Sequence, residues 1–128
     1  MRGIMRGIIG LVGLFNVLIG LGFLFTPAKL ATAFFLTPIG TQGMATLRAD
    51  FPGFFIGASL FALAGALRNQ AAPLLVPLAL VSLALAGRLV SLALDGFAPT
   101  AVQPMVIEAV MVLILSVGYR TLRTPQSV

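Results

Sequence analysis

Few residues in this 128-residue chain could carry chemistry. The only carboxylates are Asp50, Asp95 and Glu108, and Arg48 and Arg88 lie in the same apolar stretches of sequence. The chain contains no Cys and no His, which excludes disulfides and thiolate metal sites and removes the commonest metal ligand and general base. We therefore expect no metal site and no cofactor. An enzyme is the least favoured function, and it would depend on the carboxylates, an arginine-assisted hydroxyl or a borrowed cofactor.

The overall composition indicates a membrane protein. Hydrophobic residues make up 59% of the chain and charged residues only 9%, whereas a soluble domain carries about 25% charged residues because its surface faces water. The net charge of +5 would suggest a nucleic-acid partner in a polar protein. Here the basic residues stand singly between apolar runs, so we expect no nucleic acid. The expected partner is the lipid bilayer.

Four apolar segments are long enough to cross a bilayer as helices, since a spanning helix needs about 20 mainly apolar residues. Pro73, Pro77 and Pro104 fall in the first turns of the last two segments, where a missing N–H costs least. We therefore predict an all-α fold, a single domain over residues 1–128 that forms an antiparallel bundle of four transmembrane helices. The predicted spans are residues 5–25, 47–67, 73–94 and 101–119.

The basic residues predict the orientation of the bundle. Lys and Arg are in excess on the cytoplasmic side of membrane proteins. The predicted side opposite the termini carries Lys29 and little else, with Arg48 at a helix start. Both termini should therefore be cytoplasmic. The basic residues on the side of the termini are Arg2, Arg6, Arg68, Arg120 and Arg123.

The connection between the first two spans is longer than the other connections. Pro27 precedes residues 29–36, which contain an aromatic pair and a single Lys, and this run stops at Pro38 and Gly40. The pattern is typical of a short helix that lies on the membrane interface. An ordinary loop is the alternative.

Small residues on the first two spans indicate helix packing. In lipid, such residues let helix backbones approach closely. We expect packing within one subunit, and contact between subunits is the alternative. Asn16, midway along the first span, is expected to form an interhelical hydrogen bond rather than a ligand contact. The residues assigned to packing are Gly10, Gly13, Asn16, Gly53 and Gly57.

Charged and polar side chains are predicted to meet at one depth in the outer half of the bundle. Arg88 lies ten residues before Ala98, the centre of the short third loop, and Glu108 lies ten residues after it. With a rise of about 1.5 Å per helical residue, the two side chains should lie at similar depth on neighbouring helices. Ser91 and Asp95 share a helix face with Arg88. The predicted cluster is Arg48, Asp50, Arg88, Ser91, Asp95, Gln103 and Glu108.

Two main interpretations of this cluster stay open. A charge at the centre of a membrane helix costs about 2.5–3.5 kcal/mol and is tolerated when it pairs with another charge or meets water. In one interpretation, pairs of Arg88 with Glu108 and of Arg48 with Asp50 or Asp95 fix the register of the bundle. In the other, the same groups line a polar pocket or path that opens outward. Docking of another subunit is a further alternative.

Several short motifs resemble those of a known family. They are Leu47-Arg48-Ala49-Asp50-Phe51 followed by Gly53-Phe54-Phe55, Gly87-Arg88 with Ser91 and Asp95-Gly96, and Val102-Gln103-Pro104 with Glu108. The combination is similar to that of the bacterial domain-of-unknown-function family 4345, a group of small four-span proteins, and the resemblance covers nearly the whole chain. It implies an integral membrane protein with no settled activity. We expect the protein in the bacterial inner membrane.

Three functions are compatible with these features. The favoured one is a non-enzymatic protein that binds a small or amphipathic ligand, such as a lipid, quinone or isoprenoid, beside the charged cluster. The first alternative is an accessory or assembly subunit of a larger membrane complex. The second is an ion- or proton-coupled carrier, which would need a homo-oligomer because four spans leave little room for an internal path.

Overall fold

The four predicted spans are helices in the computed structural model, which describes residues 1–125. Within that range the chain is all-α, and four of its five α-helices are long and apolar enough to cross a membrane. The predicted fold class, an all-α membrane bundle, is confirmed. The helices are α1 (Arg2–Phe25), α2 (Pro27–Ala33), α3 (Gly40–Arg68), α4 (Leu75–Asp95) and α5 (Val102–Arg123), and 3₁₀ turns at Ala72–Leu74 and Pro99–Ala101 precede α4 and α5.

The start of α1 and the end of α5 lie at the same end of the bundle, because the four long helices alternate in direction. We call this the terminal end, and it also contains the connection between α3 and α4. The opposite end, which we call the distal end, contains α2 and the connection between α4 and α5.

Helix α3 begins earlier than predicted, at Gly40 rather than near residue 47. Its first two turns are not strongly apolar, but a helix satisfies its own backbone hydrogen bonds outside lipid as well as inside it. Hydropathy therefore located the apolar part of α3, which is suited to the membrane, and did not predict the less apolar turns at its start. Pro52 lies inside α3, whereas Pro77 and Pro104 lie in the first turns of α4 and α5 as expected.

The connection between α1 and α3 contains a short helix that packs on the bundle. α2 ends at Ala33, and Phe35 just beyond it has a left-handed backbone with φ of 58°. Ala31 is fully buried and packs with Phe23 of α1 and Leu47 of α3. The segment is therefore a packed helix rather than an ordinary loop, and its position at a membrane interface stays a prediction.

The apolar core is distributed unequally along the bundle. At the terminal end a buried cluster joins all four long helices: it contains Ile9 of α1, Ala62 of α3, Leu115 of α5 and Leu74 at the entrance to α4. The distal cluster, centred on Phe23, contains residues of α1, α2 and α3 but none of α4 or α5. The distal cluster therefore does not join the α1–α3 pair to the α4–α5 pair.

Two arginines join α1 and α3 at opposite ends of this helix pair. Arg6 of α1 donates hydrogen bonds to the carbonyl oxygens of Ala66 and Leu67, the second from Nη2 at 3.1 Å. Arg48 of α3 donates from Nη1 to the Leu24 carbonyl at 2.6 Å. The last carbonyls of a helix have no partner within that helix. Each arginine therefore satisfies the end of the neighbouring helix and holds the antiparallel pair in register.

Close contact between α1 and α3 depends on Gly13 and Gly20. A Cβ at Gly13 would lie 2.8 Å from Cγ of Leu63, and a Cβ at Gly20 would lie 2.5 Å from Cγ1 of Ile56. Favourable carbon contacts lie at about 3.5–4.0 Å, so neither position has room for a side chain. The predicted packing role of Gly13 agrees with this geometry.

Gly10, Gly53 and Gly57 do not make close contacts of the kind seen at Gly13, and their packing role stays a prediction. A Cβ at any of these positions would meet no heavy atom within 4 Å. Helical spacing identifies a stripe of small residues but not the direction in which that stripe faces, so it did not distinguish these glycines from Gly13. Their contact with another subunit stays a prediction.

Replacing Gly20 by Ala should lower the melting temperature of the purified protein, whereas Gly10→Ala should not. Both changes add the same methyl group and gain helix propensity of about 0.5–1 kcal/mol, but only the methyl group at residue 20 meets Ile56. Overpacking of this kind costs about 1–3 kcal/mol. Circular dichroism melts in one detergent provide the comparison, and equal melting temperatures for the two variants would contradict the close contact.

Candidate functional site

A cavity of about 740 Å³ lies between the α1–α3 pair and the α4–α5 pair at the distal end. It exists because the distal apolar cluster contains no residue of α4 or α5, so the two helix pairs do not close on each other there. All five α-helices and the turn before α5 contribute to its walls. We call it the distal cavity.

One wall of the distal cavity contains an ion pair between α4 and α5. Nε of Arg88 donates to both carboxylate oxygens of Glu108, at distances of 2.9 and 2.8 Å. The side chain of Glu108 is 13% exposed and that of Arg88 is 37% exposed, so the carboxylate is the more enclosed partner. An unpaired charge beside lipid carries a free-energy cost, and each member of the pair lowers this cost for the other.

The α4–α5 hairpin positions this ion pair. α4 ends at Asp95, and Gly96, which follows it, has a φ of 91°, a backbone conformation that glycine adopts without steric cost. The 3₁₀ turn at Pro99–Ala101 then starts the return. Because Arg88 and Glu108 are equally far in sequence from the centre of this short reversal, they lie side by side on the two helices.

Other polar groups reach the same cavity from α1, α3 and α5. Asp50 and Gln103 line it and are solvent-exposed. Asn16 also lines it but is only 5% exposed, and its Nδ2 donates to the Val12 carbonyl at 2.8 Å and lies 3.4 Å from Sδ of Met111 on α5. Sulfur is a weak acceptor, so the interhelical hydrogen bond expected of Asn16 exists in a weak form.

Arg48 does not belong to the cavity, and the ion pairs expected for it with Asp50 or Asp95 are wrong. Its guanidinium donates to the Leu24 carbonyl, and within residues 1–125 it takes part in no salt bridge. Residues two apart on a helix do not face each other, which separates Arg48 from Asp50. Arg48 instead faces the end of α1.

Ser91 and Asp95 also lie away from the cavity, although they share a helix face with Arg88 in sequence. Ser91 Oγ donates to the Asp95 carboxylate at 2.8 Å, and both residues are exposed. The last turn of α4 is open to solvent, so a local hydrogen bond satisfies Asp95 without a partner across the bundle. Of the seven residues in the predicted cluster, the cavity brings together Asp50, Arg88, Gln103 and Glu108.

The wall opposite the ion pair is aromatic. Phe54 and Phe55 meet edge to face with their ring centroids 5.1 Å apart, and Phe55 meets Phe34 in the same way at 5.9 Å. Phe23 lies beneath this layer with its ring parallel to that of Phe55, at an interplanar angle of 7°. The phenylalanines that line the cavity are Phe15, Phe34, Phe35, Phe51, Phe54 and Phe55.

The sequence predictions did not assign any of these aromatic residues to the site. A signal was present in α3, because Phe51, Phe54 and Phe55 have the spacing of one helix face and follow Asp50 directly. No comparable signal existed for Phe34 and Phe35, since their position depends on how the end of α2 packs on α1 and α3.

The distal cavity combines a few polar groups with mainly apolar walls. Within residues 1–125 no group of three or more His, Cys, Asp or Glu side chains lies together in a way that could hold a metal ion. The walls instead provide an ion pair, a second carboxylate, two amides and a layer of aromatic rings.

A comparison with protein families identifies the chain. The model of a family described as "Domain of unknown function (DUF4345)" matches residues 4–119, which is nearly the whole chain. The chain belongs to the DUF4345 family. The resemblance noted from the sequence motifs is therefore confirmed, and the DUF4345 description names no activity. Neither the curated proteins nor the solved structures contained a match.

Breaking the ion pair should destabilise the protein. Arg88→Met or Glu108→Gln leaves the other charge without its partner, which costs about 3–5 kcal/mol for a buried pair and less here because Arg88 is partly exposed. We expect each single variant to melt at lower temperature than wild type, and the double variant to recover part of the loss because it leaves no lone charge.

Asp95→Asn is the matched control, since it removes an exposed carboxylate at the same end of the bundle but away from the cavity. Single variants that melt like Asp95→Asn in circular dichroism experiments would contradict a stabilising role for the pair.

Proposed function

We propose that this DUF4345 protein binds a small amphipathic ligand, such as a lipid, a quinone or an isoprenoid, in the distal cavity. The observation that supports this most strongly is that one cavity combines an ion pair on one wall with six phenylalanines on the other. A ligand with a polar head and an apolar body matches both walls. The volume of about 740 Å³ is also within the range of about 300–1,000 Å³ typical of ligand pockets.

The hydrogen-bonding groups of the cavity support the same proposal. Arg88 uses Nε for Glu108, and its Nη1 and Nη2 donate to no other residue in the described part of the chain. A guanidinium carries five N–H donors, so the two terminal nitrogens are available to an oxygen atom of a ligand. Asn16 and Gln103 add amide groups. A few convergent polar groups in a mainly apolar pocket fix the orientation of a ligand.

Filling the cavity should remove the ligand. Ala84 of α4 lines the cavity, whereas Ala86 on the same helix is exposed and does not. Native mass spectrometry of the protein from mild detergent should detect a bound lipid-like mass in wild type and in Ala86→Phe, and a several-fold lower occupancy in Ala84→Phe. Absence of bound ligand from wild type, or equal occupancy in the two variants, would contradict the proposal.

A second candidate function is that of a subunit in a homo-oligomer or a larger membrane complex. The supporting observation is that Gly10, Gly53 and Gly57 have no neighbour within 4 Å of a Cβ position, which leaves small-residue surfaces on α1 and α3 open to another helix. The same native mass spectra would distinguish the two candidates, since a subunit would carry a stoichiometric protein partner or a second copy.

We infer that the terminal end faces the cytoplasm across a bacterial inner membrane. The support is the distribution of charge, since cytoplasmic segments are enriched in Lys and Arg. All three carboxylates of the chain lie in the distal half of the bundle. The basic residues at the terminal end are Arg2, Arg6, Arg68, Arg120 and Arg123.

Single cysteines should report this orientation, because the chain has no Cys of its own. Thr37 at the distal end and Thr124 at the terminal end are both exposed. A membrane-impermeant maleimide added to intact spheroplasts should label Thr37→Cys, and it should label Thr124→Cys only after lysis. The reverse labelling pattern would overturn the inferred orientation.

A further inference from the structure

The charges that line the distal cavity do not cancel. Arg88 and Glu108 neutralise each other through their ion pair, and Asp50 adds a second carboxylate. Among the described lining residues Arg88 is the only basic one, so the formal charge of the cavity is −1. A concave site with apolar walls concentrates the field of such a charge and favours ligands of opposite sign.

No basic side chain among the described residues forms an ion pair with Asp50. The arginine nearest to it in sequence, Arg48, donates to the Leu24 carbonyl, and Arg88 already holds Glu108. A carboxylate without a paired cation in the wall of a cavity attracts positive charge, so a cation brought by a ligand would stabilise Asp50.

The aromatic wall suits a cation as well. Phe51 and Phe54 line the cavity and follow Asp50 on α3. The face of an aromatic ring attracts a cation within about 6 Å of its centroid, and quaternary ammonium ligands are commonly held in this way. Since the rings of Phe54 and Phe55 lie at 90° to each other, the wall offers ring faces in more than one direction.

We propose that the ligand of the distal cavity is a lipophilic cation, an amine or a quaternary ammonium or phosphonium ion with apolar substituents. Its charge lies against Asp50 and its apolar body lies against the phenylalanines. The terminal nitrogens of Arg88 donate to an uncharged oxygen where the ligand has one. This inference rests on the proposed ligand-binding function and narrows the class of ligand.

Tetraphenylphosphonium is the probe, because it is an apolar cation without hydrogen-bonding groups. Tetraphenylborate has the same shape and the opposite charge, so it is the matched control ligand. Equilibrium binding to the protein in lipid nanodiscs, after subtraction of empty nanodiscs, should be saturable for the phosphonium ion and not for the borate ion. This contrast needs no mutation and so does not depend on the folding of a variant.

Variants of Asp50 test the position of the cation. Asp50→Asn removes the charge with little change of shape and should weaken phosphonium binding at least tenfold, whereas Asp50→Glu should retain it. Asp95→Asn removes the same charge at the same end of the bundle but away from the cavity, and it should bind like wild type. Unchanged melting temperatures would assign the loss in Asp50→Asn to binding rather than to unfolding.

Equal phosphonium binding by wild type and Asp50→Asn, or saturable binding of the borate ion alone, would overturn the cation proposal. The proposed function itself would still stand if Ala84→Phe removes a bound native ligand while the phosphonium ion does not bind. If Ala84→Phe affects neither the native ligand nor the probe, both proposals fail together.

Discussion

The ion pair between Arg88 and Glu108 joins α4 to α5 at a level where these helices share no apolar cluster with the rest of the bundle. At the terminal end, side chains of all four long helices pack together around Ile9 and Leu115. At the distal end the hydrophobic contribution comes from α1, α2 and α3 only. Charge pairing therefore stabilises the hairpin where packing does not, and the space left beside it is the distal cavity.

The α1–α3 pair is joined by close helix contacts and by hydrogen bonds to backbone carbonyls rather than by an ion pair. Its helices approach closely at Gly13 and Gly20, and Arg6 and Arg48 each satisfy carbonyl oxygens at the end of the neighbouring helix. The distal cavity therefore lies between a closely packed helix pair and a hairpin that carries the ion pair on its cavity side. Ligand pockets between the helices of a bundle are built in this manner, from an ordered scaffold and a few polar groups.

The arginines illustrate how far helix geometry alone can predict a site. Arg88 and Glu108 stand at equal distances from a short reversal, so the rise of a helix predicted that they lie at the same level. Arg48 and Arg6 bond backbone carbonyls, which are present on every residue, so no sequence pattern identified their partners. Asp50 reached the cavity and Asp95 did not, because the last turn of α4 lies beyond the residues that line the cavity.

The sequence by itself determined the number of long apolar helices and the equal distances of Arg88 and Glu108 from the reversal between α4 and α5, because apolar length and helical rise are properties of each segment alone. The tertiary structure decided which glycines are contacts, where the cavity lies and that phenylalanines line it. Those features depend on the rotation of each helix about its axis and on the separation of helix pairs. Both are set by packing among residues far apart in the chain, such as Gly20 with Ile56.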